Sequence, residues 1–350
     1  MNDAPVAMPN LLEGINEKWL ESCREVILEP ELPICDSHHH LFLRPEYTYL
    51  MPEFFIDASS GHNIENTVFL ECHSFYRATG PLEMRSVGEA EFVRGVGAMS
   101  DSGQFGRTKV AEGFVGRADI MLGARVDAVL EALESAAGGR LRGIRYLAGW
   151  DANFTSAYAK PGVYLDDKFR EGFARLPVYG LSFDALAYHS QLSDVVSLAQ
   201  AFPAQPIILN HVGTPIGIGP YAGRRQEELV RWRKGMAELA RCDNVTVKLG
   251  ALASKRAGFR WHERASPPSS LELAEAWRPY VETSIELFGA NRCMFESNFP
   301  IDKVGCSYAV LWNAFKRLAA QATPEEKAAL FRNTAHRIYR IGPTAKHSVS

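Results

Sequence analysis

Short apolar runs alternate along the chain with stretches whose apolar residues recur every three to four positions. The runs predict strands at Pro33–His38, Thr67–Cys72, Ala111–Val115, Leu141–Tyr146, Val178–Phe183, Pro206–His211, Val245–Leu249 and Arg292–Ser297. Helical patterns fall between most of them. Arg125–Ala137 carries Val126, Val129, Leu130 and Leu133 on one face and stops at Gly138-Gly139. Asp166–Leu176, Gln191–Phe202, Arg225–Cys242 and Leu271–Phe288 have the same character. This alternation predicts an α/β fold with the eight strand–helix units of a (β/α)8 barrel. A doubly wound open sheet shares the pattern, but no Gly-x-Gly-x-x-Gly follows the first strand.

At the end of the pattern, Thr323-Pro324-Glu325-Glu326 is a helix start with a Thr cap, Pro in the first turn and acids near the positive end of the dipole. It leads into a closing helix over Lys327–Tyr339, and an outer helix is predicted at Asn16–Val26. The organisation expected is an N-terminal extension (1–30) with that helix, a barrel domain (31–342) and a flexible tail (343–350). Two long segments, Phe42–Asn66 and His73–Lys109, follow strands 1 and 2 as candidate lids. Their Tyr47, Tyr49, Phe54, Phe75, Tyr76 and Arg77 either pack the loops on the barrel or line a substrate pocket, with Tyr49 the substrate-binding candidate.

Composition narrows the class. A formal charge of -3 gives no reason to expect nucleic acid or an anionic membrane as partner. No uninterrupted apolar run reaches the ~18 residues that span a bilayer. Met1–Glu17 has acids but no basic region before an apolar run, so no signal peptide is expected. Six scattered cysteines suit a reducing cytoplasm and give no cysteine zinc site.

The chemistry collects at the strand ends, where a barrel of this kind keeps its active site. Cys35-Asp36-Ser37-His38-His39-His40-Leu41 ends the first strand. Alternation places Asp36, His38 and His40 on one face and Ser37 and His39 on the other. Two imidazoles so spaced can reach one ion or one substrate atom, and His211 ends strand 6 in the same way. Hydrogen-bonded core histidines are the structural alternative. Glu71 ends strand 2; it is equally a buried partner for Lys248, a metal ligand or a base. Arg145 on strand 4 and Lys248 on strand 7 either form internal ion pairs or bind an anionic substrate group. Asp184, ending strand 5, is a further substrate-binding candidate, and Glu296, Asn298 and Asp302 cluster at strand 8.

These segments, with Arg142-Gly143-Ile144-Arg145, Leu209-Asn210-His211-Val212-Gly213 and Glu296-Ser297-Asn298-Phe299-Pro300 in that order, resemble the TIM-barrel metal-dependent hydrolases of the amidohydrolase superfamily. The resemblance runs from about Pro33 to Tyr339 and is to the amidohydrolase-2 group, which contains the dicarboxylate and sugar lactonases. It implies that His38, His40 and His211 bind a divalent metal such as zinc or manganese, or polarise a substrate carbonyl without one. It also implies a strand-8 aspartate as general base, and there this chain has Asn298. An amide accepts no proton at neutral pH, though it orients a water or offers a neutral oxygen to a metal. Glu71, Asp302 and the deeper Glu296 are the carboxylates left for the role.

The function expected is hydrolysis of a lactone or related cyclic ester by water, at a carbonyl polarised by the histidines or their metal, in a cytoplasmic enzyme acting on a small anionic substrate. Homo-oligomerisation is left open. Metal-dependent decarboxylation of an aromatic or unsaturated acid needs no hydrolytic base and is the alternative. A non-catalytic binding barrel is the third reading.

Overall fold

A computed structural model describes residues 6–45, 47–155 and 160–342. Eight parallel strands form one sheet: β1 (Pro33–His39), β2 (Asn63–Leu70), β3 (Lys109–Gly116), β4 (Leu141–Leu147), β5 (Ser182–Leu186), β6 (Ile207–Leu209), β7 (Val245–Leu249) and β8 (Cys293–Phe295). Each strand hydrogen-bonds to the next in sequence. The residues just past β8 close the circle: Asn298 N donates to His38 O at 2.8 Å and His40 N to Phe299 O at 2.8 Å. A helix follows every strand: α1 (Met51–Ala58), α2 (Val87–Asp101), α3 (Asp127–Ala137), α4 (Asp167–Phe173), α5 (Leu192–Ala201), α6 (Arg225–Leu239), α7 (Ser270–Phe288) and α8 (Tyr308–Leu318). The expected (β/α)8 TIM barrel is therefore the fold.

The main core lies between strands and helices, where Phe69, Phe114, Phe183, Trp232, Trp277 and Trp312 are buried. A separate apolar cluster joins Cys35, Val68, Leu70, Val115, Ile208 and Met294 to Ala335, Tyr339 and Ile341. Each of these strand residues precedes the polar group at its strand's end. The C-terminal helix thus seals the barrel on the side away from the histidines, so the polar groups gather at one mouth.

Several boundaries differ from the pattern reading, for local reasons. Residues 176–179 turn as a 3-10 segment opened by Pro177 and stopped by Gly180 in the left-handed region (φ 60), so the strand begins only at Ser182. The second strand starts at Asn63, because Asn63–Asn66 pair with Pro33–Cys35 despite their polar character. The outer helix is only Glu17–Glu21, capped by Asn16, whose side chain accepts from Trp19 N. The closing helix is broken by a π turn at Ala329–Asn333. Residues 343–350, expected as a flexible tail, lie outside the described residues. The segment after β1 holds a hairpin (Phe42–Arg44 with Tyr47–Tyr49) and α1. No helix among the described residues is long and apolar enough to cross a membrane.

Candidate active site

His38 and His40 project together because the strand is irregular where they leave it. A register shift lies between Asp36 and His39. It breaks the simple alternation: Asp36, expected to share a face with the two histidines, accepts hydrogen bonds from Ser297 N and Oγ and from the Tyr308 hydroxyl on α8. His39 faces away, as its parity required. Its ring stacks on Phe54 with centroids 4.2 Å apart, and Nε2 lies 2.8 Å from Thr67 Oγ1.

The Nε2 atoms of His38 and His40 are 3.2 Å apart. His40 Nδ1 donates to Leu70 O at 2.9 Å, which leaves its Nε2 as the lone-pair nitrogen. His211 follows β6 in the left-handed region (φ 59), as does Val212 (φ 47). Glu296 Oε1 holds that turn, accepting from His211 N at 3.0 Å and from Nδ1 at 2.7 Å. Glu296 Oε2 lies 2.8 Å from His38 Nδ1. The His38 ring centre is 4.8 Å from that of His40 and 4.6 Å from that of His211. The Nδ1 atoms of His40 and His211 thus meet acceptors and leave their Nε2 atoms for chemistry, while His38 Nδ1 lies between Glu296 Oε2 and Lys248 Nζ. Burial, reinforced by the Arg145 charge and, for His38 and His211, by that of Lys248, pushes all three imidazoles well below their ordinary pKa and keeps them neutral.

This donor set fits a divalent cation. Two ligands on a tetrahedral ion with bonds of ~2.0–2.1 Å stand about 3.3 Å apart. That matches the His38–His40 spacing, and two facing lone pairs call for a proton or a cation between them. A hydrogen-bond acceptor on Nδ1 is the usual support for such ligands. Among the described residues, His38, His211 and Glu296 form a group of donors with atoms within 4.8 Å of one another. His40 joins through His38, so the expected trio is a chain rather than a triangle.

The ion pairs differ from the expectation. Glu71 pairs with Arg145 and not Lys248: Arg145 Nε is 2.8 Å from Glu71 Oε1, and Nη2 donates to Glu71 O. Burial alone would raise the Glu71 carboxyl; Arg145, His73 and Arg117 outweigh it and hold the group below its usual range. Glu71 is therefore an ionised but weakly basic carboxylate. Arg145 Nη1 also reaches His38 Nε2 at 3.3 Å. Lys248 pairs with Asp184 at 2.9 Å and lies 3.4 Å from His38 Nδ1. Asp184 is saturated by Lys248, Asn210 Nδ2 (2.8 Å) and the Tyr339 hydroxyl (3.0 Å). With three donors on it below the mouth, it is placed to hold Lys248.

Asn298 lies beside His38 in the closing ladder, in the left-handed region (φ 54). Its Nδ2 donates to Asp302 Oδ2 at 2.6 Å, and Ala253 N donates to Asp302 Oδ1 at 2.7 Å. Burial pushes the Asp302 carboxyl up to about 8. Asp302 thus reaches the mouth only through Asn298. Tyr49 is not brought to the site. It is fully buried, donates to Asp57 Oδ2 at 2.6 Å, stacks with Tyr47 and meets Phe54 edge to face.

Two groups escaped the pattern reading. Glu89, from α2, accepts from Cys72 N (2.9 Å) and Ser74 N (3.0 Å) and so shapes the loop after β2. It sits on a helix face among apolar residues, with no positional cue. Arg117 had a cue: it immediately follows β3, as Glu71 follows β2.

The amidohydrolase family model matches residues 35–341, and the chain belongs to this family. It is 33% identical over 295 residues to the uncharacterised protein y4mH of Sinorhizobium fredii, covering 84% of this chain and 86% of that one. It is 29% identical over 206 residues to an L-fucono-1,5-lactonase of Burkholderia multivorans, covering 58% of this chain and 64% of the relative. Among solved structures, an amidohydrolase from Burkholderia multivorans with bound zinc superposes with a TM-score of 0.66 at 22% identity, covering 88% of this chain and 99% of that one. A putative 2-pyrone-4,6-dicarboxylic acid hydrolase from Pseudomonas putida gives 0.59 at 18% identity, covering 88% and 98%. A manganese complex of 5-carboxyvanillate decarboxylase from Novosphingobium aromaticivorans gives 0.57 at 10% identity, covering 89% and 97%. At these identities the structural likeness shows the shared fold.

Proposed function

We propose that this amidohydrolase opens a lactone or related cyclic ester by hydrolysis at the His38–His40–His211 centre. The observation that carries the reading is the cluster of three neutral imidazoles, two of them (His40 and His211) with Nδ1 tied to an acceptor, beside the Arg145 guanidinium. The lactonase relatives agree with it.

His38 and His40 would hold the zinc or manganese ion that the family implies; a bound divalent cation polarises a carbonyl and lowers the pKa of water to about 7. His211, anchored by Glu296 through Nδ1, presents Nε2 as proton acceptor for the attacking water, the part Asn298 cannot take. Asn298 offers its amide oxygen to orient that water. The water oxygen bonds to the carbonyl carbon, the ring C–O bond breaks, and His211 returns its proton to the ring oxygen, giving a hydroxy acid. Arg145 stabilises charge developing beside His38.

The test is pH-stat hydrolysis of a panel of five- and six-membered sugar lactones and 2-pyrone-4,6-dicarboxylate, with and without added zinc or manganese. Turnover is expected, and His211→Asn is expected to lower kcat by about 10²–10⁴-fold. No turnover on any lactone refutes the reading.

Decarboxylation is the second reading, favoured by one feature. Asn298 removes a base that hydrolysis uses and decarboxylation does not need. Carbon dioxide release from carboxylated phenols, without lactone turnover, would select it.

A further inference from the structure

His211 opens an unusual stretch of backbone. Four successive residues, His211 (φ 59), Val212 (φ 47), Gly213 (φ 73) and Thr214 (φ 44), all lie in the left-handed region. Only glycine occupies that region freely, and a β-branched residue such as Val212 or Thr214 is disfavoured there. Such a run persists only where its surroundings over-determine it. Glu296 holds its first residue. The residues after it are held from α6.

Trp232, fully buried on α6, donates from Nε1 to Val212 O at 2.7 Å. One turn earlier on the same helix face, Glu228 Oε2 lies 3.2 Å from His189 Nε2. His189, just after β5, grips the loop at two further points. Its backbone N donates to Thr214 O at 3.4 Å, and its Nδ1 accepts from Ile216 N at 3.3 Å. A backbone N–H can only donate, so Nδ1 carries no proton and the Nε2–H is the one that meets Glu228. Both ring nitrogens are therefore used in the link from loop to helix.

Packing alone does not fix this loop. A cavity of about 170 Å³ adjoins it, lined by His189, Ile216, Tyr221, Arg225, Glu228 and Tyr280. Close-packed surroundings would lock a strained backbone by exclusion; beside a void, hydrogen bonds must do so. Without them the loop has room to relax and to turn the His211 ring away from His38, whose ring centre is 4.6 Å from its own.

We propose that Trp232 and His189 are positioning residues for His211: tied to α6, they hold the left-handed run that aims its imidazole at His38. That His211 accepts a proton in catalysis rests on the function proposed above; the anchoring itself rests on the geometry of the loop.

The experiment measures loop order and turnover separately on the full-length protein. Trp232→Phe removes the indole donor, His189→Ala removes the imidazole, and His189→Asn returns a side-chain oxygen near the place of Nδ1. In hydrogen-exchange mass spectrometry, peptides covering 211–217 are expected to exchange at least about tenfold faster in Trp232→Phe and His189→Ala, with peptides from β1 and β8 unchanged. His189→Asn should regain part of the protection. For lactone hydrolysis, kcat should fall about ten- to a hundredfold with KM within about threefold, because a displaced proton acceptor costs rate more than binding. His189→Ala carries the test should Trp232→Phe fail to fold. An unchanged loop, or faster exchange spread evenly over the barrel, overturns the anchoring. A loosened loop with kcat unchanged overturns the positioning role. A loosened loop in a protein that opens no lactone leaves the anchoring standing and removes the lactonase reading. Lactone turnover with a loop that stays protected in the variants does the reverse.

Discussion

Glu296 grips His211 twice, through the ring at 2.7 Å and through the backbone amide at 3.0 Å. A carboxylate at the end of β8 thereby fixes a left-handed turn at the end of β6 and the direction of its imidazole. The same side chain stands 2.8 Å from His38 Nδ1, so one buried group aligns two histidines. Burial pushes this carboxyl up to about 8, and replacing one of its oxygens by an amide nitrogen should disturb both. Glu296→Gln is expected to lower kcat and zinc affinity by about ten- to a hundredfold, the usual cost of losing such a supporting acceptor. Steady-state kinetics and metal analysis of the dialysed variant check this; unchanged values for both would mean that the histidines orient themselves.

Glu71 and Arg145 form a buried pair whose partners are both in the barrel interior. Removing either strands the other. Arg145→Met and Glu71→Gln should each destabilise by about 3–5 kcal/mol, whereas the double variant should recover much of that loss. Urea unfolding of the four proteins gives the cycle directly. Additive losses would show that the two charges are not coupled.

The pH dependence of stability has a definite sign on each side. Burial pushes the Glu89 and Asp302 carboxyls up to about 8. Groups that bind their proton more tightly when folded contribute stability at low pH and lose it as the pH rises through the folded value. Their contribution therefore fades from about pH 4.3 to about 8. Buried histidines act oppositely. Burial lowers His39 to about 3 and His62 to about 4, so both oppose folding increasingly as the pH falls below about 6.5. Maximal stability is expected near pH 6. Glu89→Gln keeps an oxygen for Cys72 N and Ser74 N, so it should match wild type near pH 4, pull ahead as the pH rises, and exceed it by about 3–5 kcal/mol at pH 9. Thermal melts across pH measure this; a parallel offset at every pH would contradict the assignment.

Asn298→Asp would place a carboxyl where an amide now donates to Asp302 at 2.6 Å. Two carboxyls at that separation share one proton, and the second ionises only with difficulty. The variant should be close to wild type in stability at pH 5 and weaker by about 1–3 kcal/mol at pH 8. It should also bind zinc more tightly, having gained an anionic oxygen beside His38. Melting curves at the two pH values and a zinc titration decide it.

The barrel was legible in the sequence because apolar runs and helical periods carry it directly. Val245–Leu249 was read to the residue, and the errors fell where backbone chemistry overrides hydrophobicity, as at Gly180 before β5. The polar residues at strand ends were legible as a group for the same reason. Their partners were not. Whether Glu71 faces Arg145 or Lys248 depends on barrel register and side-chain reach, which no local pattern encodes. The displacement of Asp36 towards Tyr308 comes from a register shift that strict alternation cannot anticipate. Tyr49 looked like a pocket aromatic from its place in a long loop, but the hairpin turns its hydroxyl onto Asp57.

A hydrolytic centre at His38, His40 and His211 is tested by lactone turnover of wild type and His38→Ala across the substrate panel, with zinc or manganese supplied to both and folding verified by melting. Turnover by wild type and a loss of at least about a hundredfold in the variant are expected. Equal rates in the two proteins, or an inert wild type beside clear carbon dioxide release from carboxylated phenols, would contradict it.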